Sequence, residues 1–363
     1  MADSSQSGWQ PDWGVAPGEI LLEALQDREM TQSELAQRLG RPLKTINEII
    51  KGKASITPET AIQLERALGI SARFWTGLET QYRDSLARRQ AEQDLEAQAY
   101  WVDTFPITDL VRHRLIVRGR NKAATLANLL SWLGISSPSA YDRLDSAAAY
   151  RASPAFVASP NALRAWLRWG ELQASKATAR PFDARLFREV LTKIRPMTRK
   201  EPFAWVFKQV QDMCAEAGVI VVLTPELSGT HLSGAARWIG SKAVIQMSLR
   251  HKTDHQFWLT FFHEAGHLLS GLRRRDYVDG IQLDDDPDED AANQFAWDLI
   301  VPPDNYASFA QAADFSRAAV RAFAESQTIA VGLVIGRLES DGLVIPAQLR
   351  SLKKAIAFPT DRP

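Results

Sequence analysis

The 363-residue sequence has almost no cysteine and no net charge. Its single cysteine, Cys214, excludes an intramolecular disulfide and a zinc finger built from cysteines. Lys and Arg number 43, and so do Asp and Glu, which excludes a globally basic, histone-like chain. Any contact with nucleic acid must therefore come from a local patch. No apolar run approaches the ~20 residues a membrane helix needs; the clearest, Val219 to Leu223, is strand-sized. Met1 to Gly14 lacks a basic segment followed by an apolar one, so no secretory leader is expected, and the expected compartment is the cytoplasm. Histidine is scarce too, yet four of the six, His251, His255, His263 and His267, fall within 17 residues.

What is present is a globular composition, 45% hydrophobic and 24% charged, which excludes a disordered or collagen-like chain. The expected fold class is α+β, mostly helical. Residues 1–16 read as a flexible tail, and 17–83 as short amphipathic helices broken by Gly40, Gly52, Pro58 and Gly69. Residues 84–200 read as a linker helix and a helical middle region without a chemical cluster. From 201 to 305 the texture changes. A helix over Phe203–Ala217 ends at Gly218, and strands are expected at Val219–Leu223, Gly234–Ile239 and Ala243–Ser248. Two further helices run from about Asp254 to Ser270 and from about Asp286 to Ile300, where Pro302-Pro303 follows. The segment 306–363 reads as helices packed on that domain; its pattern could also pass for a second helix-turn-helix, but its basic residues are few.

In the first region Thr31 can cap a helix, and Glu34 three residues on completes a capping box. That helix ends at Gly40, and a second runs from about Pro42 to Ile50 with Ile46, Ile49 and Ile50 inward. Two short helices joined by a tight glycine turn form a helix-turn-helix. Arg38 to Lys53 holds five basic residues against one acid, a local excess of four suited to phosphates. The start of the second helix faces base edges in this geometry, here Arg41, Lys44, Thr45 and Asn47. Lys51 and Lys53 fall on phosphates, and Gln32 reaches a phosphate or buttresses the second helix. Pro17–Leu21, Thr31–Leu39, Ile46–Lys53, Ile56–Ala61 and Phe74-Trp75, in that order and spacing, resemble the HigA-type antitoxin branch of the XRE helix-turn-helix family. The resemblance covers 17–82. It implies a five-helix, usually dimeric domain that binds double-stranded operator DNA, and it admits a toxin as partner.

His263-Glu264-Ala265-Gly266-His267 is a complete HExxH, and with six histidines about 0.01 such motifs are expected by chance. On a helix, residues four apart share a face, so both imidazoles can reach one metal. Glu264 projects beside that metal, where it can take a proton from attacking water and pass it to the leaving amine. A hydrolytic zinc has three protein ligands and an open position. No third histidine follows, so a carboxylate is expected from among Asp276, Asp279, Asp284, Asp285, Asp286, Asp288, Glu289 and Asp290. Glu289 stands out because it opens the next helix, and Asn293, four residues on, can orient it. His255 on the same helix could approach the cleft as a further ligand, His231 lies in a glycine-rich loop that could border substrate, and Arg237 and Tyr277 are candidate oxyanion stabilisers, though an ordinary structural or surface role is the simpler expectation for each.

Phe257–Leu269, then Glu289–Ala296, then Leu299–Pro302 resemble the ImmA/IrrE family of metallo-endopeptidases. The resemblance covers roughly 203–305 and is loose over 105–200, through Ala165–Glu171. A glutamate in place of Ala291 would be more usual in the family, and the spacer 271–288 is individual. The resemblance implies a zincin-like domain whose small β-sheet packs on the HExxH helix. It implies one zinc per chain on His263, His267 and Glu289, Glu264 as general base, and helix-turn-helix repressors as substrates. The competing expectation is a non-proteolytic antitoxin or regulator whose zinc domain senses metal or binds a partner.

Overall fold

A computed structural model describes residues 14–142, 159–270, 277–278 and 287–357. The expected tail and the acidic spacer between the two HExxH-region helices lie largely outside the described residues. The chain divides into two compact units, 1–99 and 100–363.

The first unit is all helical: α1 (Pro17–Gln26), α2 (Gln32–Leu39), α3 (Leu43–Ile50), α4 (Pro58–Leu68) and α5 (Ala72–Ala97). Thr31, Thr57 and Ser71 accept the first-turn amides of α2, α4 and α5. Leu21, Leu35, Ile46, Leu64 and Trp75 fill the core. Gly18 is required by a close approach, because a Cβ there would collide with the Ile49 and Ile50 carbonyls at the end of α3. Two details depart from the sequence reading. The capping box is half made: Thr31 accepts the Glu34 amide, but the Glu34 carboxylate turns to Arg38 at 2.7 Å. The expected boundary at 83/84 falls inside α5, which no glycine or proline interrupts after Gly77 and which Arg83–Glu79 and Arg88–Asp84 pairs support.

The second unit begins at Tyr100. It contains α6 (Ile107–Arg112), α7 (Lys122–Leu133), α8 (Pro160–Lys176), α9 (Ala184–Ile194) and α10 (Phe203–Glu216), then strands β1 (Val219–Leu223), β2 (Gly234–Ile239) and β3 (Lys242–Met247). After these come α11 (Asp254–Leu269), the short β4 (Tyr277–Val278), α12 (Pro287–Ile300), α13 (Pro303–Ala312), α14 (Arg317–Ser326) and α15 (Val331–Ser340). The sheet order is β1-β3-β2-β4; β1 and β3 are parallel and the other pairs antiparallel.

Side chains alternate across a strand, so the two faces of this sheet bury different partners. Val219, Val221, Ala243, Ile245, Met247 and Ala236 share a core with α10 and α11. Ile220, Val222 and Val244 turn the other way, onto Ala174 of α8. The middle region therefore carries structure that the sequence reading assigned to no domain: α8 closes the far face. Its Gly170 lets the buried Gln246 amide approach, and Gln246 donates to the Trp166 carbonyl at 2.7 Å and to Thr224 Oγ1 at 2.8 Å. On the near face Gly332 and Gly336 of α15 lie against Asp254 and His255 at the start of α11. Among the described residues no single helix is long and apolar enough to cross a membrane.

Candidate functional site

α11 is buried along nearly its whole length, so its polar residues are placed by packing. His263, Glu264 and His267 are all buried, with Glu264 fully so. Gly266, between the two histidines, faces α12: a Cβ there would lie 3.1 Å from the Cα of Ala292 and from the Phe295 ring. Two small residues at the crossing bring the helices close, and this seats Glu289, one turn before Ala292, over the histidine face. Glu289 Oε2 lies 3.2 Å from His263 Nε2, and Oε1 lies 3.3 Å from His267 Nε2. The two Nε2 atoms are 2.9 Å apart. Asn293 Oδ1 meets His263 Nδ1 at 3.0 Å, which directs the Nε2 lone pair at the cluster. Burial raises the Glu289 carboxyl, but hydrogen bonds and charge from both imidazoles outweigh it and hold the pKa at about 2.

These three residues are a group whose ligand atoms converge within 4.8 Å, suited to a metal ion. Ligands bonded to zinc at ~2.05 Å in a tetrahedron are separated by about 3.3 Å. The distances from the two imidazoles to the Glu289 oxygens, 3.2 and 3.3 Å, lie near that spacing, and the two imidazole nitrogens are closer, at 2.9 Å. Two histidines and one carboxylate are also a donor set of hydrolytic zinc.

Glu264 lies beneath β2. A Cβ at Gly234 would come within 2.7 Å of Glu264 Oε1 and 2.9 Å of its Cγ, so the missing side chain at 234 makes the space that this carboxylate fills. No motif marks Gly234; only a lone glycine opening a strand hints at a close approach. Alanine at 234 should displace the carboxylate while leaving the three converging ligands intact. On the zinc-peptidase reading proposed below, the expected outcome is unchanged zinc content with peptide hydrolysis reduced by about 10²-fold, as a displacement near 1 Å produces. Metal analysis paired with a cleavage assay checks it.

Other candidates fall elsewhere. Arg237 projects from the opposite face of β2 and donates to the Leu167 carbonyl at 2.8 Å, so strand alternation takes it away from the cluster. The backbone of Tyr277 pairs with Ala236 in β4; its side chain is outside the described residues. His255 is eight residues before His263, about 80° round and ~12 Å along the helix. It packs under α15, where burial and the neighbouring charges of Lys353 and His251 lower its pKa to about 4. His231 is exposed and lies 3.6 Å from Glu226.

On the helix-turn-helix, Lys51 and Lys53 are exposed, and Thr45, Asn47 and Gln32 are partly buried. Lys44 lies 3.8 Å from Glu48 and remains mostly exposed. Arg41 departs from the expected role: its Nε donates to Gln63 of α4 at 2.6 Å, fixing it between helices.

Residues 21–75 match the family model described as helix-turn-helix. The chain is 32% identical over 79 residues to YddM of Escherichia coli strain K12, an uncharacterised HTH-type transcriptional regulator, covering 22% of this chain and 82% of that protein. It is 34% identical over 84 residues to virulence-associated protein I of Dichelobacter nodosus, covering 23% and 74%. Among solved structures it is similar to an addiction module antidote protein of the HigA family from Coxiella burnetii, at 32% identity, 23% and 92% coverage and a TM-score of 0.22. It is also similar to the antitoxin HigA of Pseudomonas aeruginosa, solved with the higBA promoter, at 30% identity, 23% and 94% coverage and a TM-score of 0.22.

Proposed function

The chain belongs, through residues 21–75, to the helix-turn-helix family of regulators, and from that premise we propose a DNA-binding regulator joined to a zinc-dependent endopeptidase of the ImmA/IrrE type. The observation that carries the enzymatic half is the convergence of His263, His267 and Glu289 beside the buried Glu264. His263, His267 and Glu289 would hold the zinc, which would supply Lewis acidity and lower the pKa of water to near 7. The chain's own residues do the rest. Glu289, ionised by its two imidazole neighbours, brings the negative charge a dication requires. Asn293 fixes the ring of His263. Glu264, held in place under Gly234, receives the proton of the attacking water and delivers it to the departing amine. The substrate class we propose is a helix-turn-helix repressor, with a homodimer as the assembly.

The DNA half rests on the exposed cations around α3. Lys51→Ala should weaken binding to all sequences alike and reduce the salt slope by about one, as loss of a phosphate contact does. Substitution of Asn47 should instead change which sequence is preferred. Titrations of the full-length protein against DNA at several salt concentrations check both. Salt-independent binding, or none, would remove the DNA role. For the peptidase, Glu264→Gln should keep the metal ligands and DNA binding and lose cleavage of the repressor.

A further inference from the structure

On the reading that α3 enters the major groove, we propose that Leu43 reads the 5-methyl group of thymine and is a determinant of operator sequence. The sequence pattern assigns base reading to polar and charged residues, and one of these, Arg41, is engaged within the domain by Gln63. Leu43 is different. It is 44% exposed, as Ile62 of α4 and Phe74 of α5 also are at 45% and 46%, but among these three it alone lies on the second helix of the helix-turn-helix, as the first residue of α3. An apolar side chain is placed in water at the turn of a helix-turn-helix that contacts base edges.

The surroundings select the occupant. Pro42 precedes it as an N-cap without a side-chain hydrogen bond, and its carbonyl accepts the Thr45 amide at 2.9 Å. Lys44 follows at high exposure, and Lys51 and Lys53 are exposed at the other end of the helix. Exposed cations at both ends of α3 suit a polyanion, and duplex DNA presents one apolar group in the major groove, the thymine methyl. An apolar protein partner would meet the desolvation cost of those lysines.

The test uses full-length protein and duplex DNA selected from a random pool by the wild type. Each thymine of the selected site is replaced in turn by uracil, which removes only the methyl. Wild type should lose about fourfold in affinity at one position per half-site, the value of one buried methyl. Leu43→Ala should bind with the same salt slope, tolerate uracil there without loss, and accept cytosine at that position more readily. Leu43→Met, which keeps an apolar contact, should retain the uracil effect. Equal uracil sensitivity in wild type and Leu43→Ala overturns the inference, as does a change in self-association with the base preference intact. If wild type selects no sequence while its salt-dependent binding persists, base reading by Leu43 fails and phosphate binding stands. If nothing binds, the DNA-binding reading itself fails.

Discussion

Glu264→Gln should abolish proteolysis and leave everything else in place, with a rate loss of about 10²–10⁴-fold, the usual contribution of a positioned general base. The exchange is nearly isosteric. Glutamine fits the space beneath Gly234 that the carboxylate occupies, so folding should be preserved. It is not one of the three converging ligands, so zinc content should be unchanged. It lies in the unit 100–363, whereas the helix-turn-helix lies in 1–99, so DNA affinity should be unchanged as well. A group that merely closes a structural metal site needs no base at this position. The measurement is the level of a helix-turn-helix repressor, and of its fragments, in cells that carry wild type, Glu264→Gln or no copy. Wild type should produce fragments and Glu264→Gln none. Full complementation by Glu264→Gln, with no fragment from wild type, would make the C-terminal unit a sensor or scaffold, and the non-proteolytic antitoxin reading would take over.

The helix-turn-helix was legible because each of its signals is local. Thr31, Gly40, Thr57 and Gly69 mark helix ends through their own side chains or backbone freedom, and the structure uses them so. The pairing of His263 with His267 was legible for the same reason, since i and i+4 share a helix face wherever the helix lies. Glu289 lies across a long spacer. Its choice among eight acids rested on the start of a helix, and the close contact of Gly266 with Ala292 explains physically why that acid reaches the histidines.

What stayed hidden depends on long-range packing. Nothing local says that α8 covers the far side of a sheet whose strands begin 43 residues after the helix ends. The near-continuous apolar run of β1 could have suggested it, because a strand buried on both faces lacks alternation. Arg237 shows the weight of register: Ala236 beside it faces α11, while Arg237, one residue on, reaches the Leu167 carbonyl on the α8 side. Arg41 and Leu43 show the same limit on a smaller scale. Composition marks arginine as a base reader and leucine as core, but the fold ties the first to Gln63 and exposes the second.

Removing any of the three converging ligands should remove the metal. Purified protein is expected to hold about one zinc per chain, as a mononuclear site does. His263→Ala and Glu289→Ala should each reduce this to background after dialysis, because two remaining ligands leave an incomplete site. The two substitutions should differ in a second measurement. In Glu289→Ala, the carboxylate 3.2 and 3.3 Å from the two imidazoles is gone, and two buried nitrogens 2.9 Å apart must share a proton or separate. The metal-free variant should therefore unfold at a lower temperature than metal-free wild type, by the ~1–3 kcal/mol of buried polar groups that lose a partner. Asn293→Leu keeps all three ligands and loses only the support of His263 Nδ1, so it should bind zinc about 10–100-fold more weakly without losing the stoichiometry at saturation. Competition with a chelator of known affinity separates these outcomes. Full zinc retention by Glu289→Ala would transfer the third position to a neighbouring acid such as Asp288 or Asp290, and the depressed carboxyl of Glu289 would then reflect an ion pair with the histidines rather than a metal site.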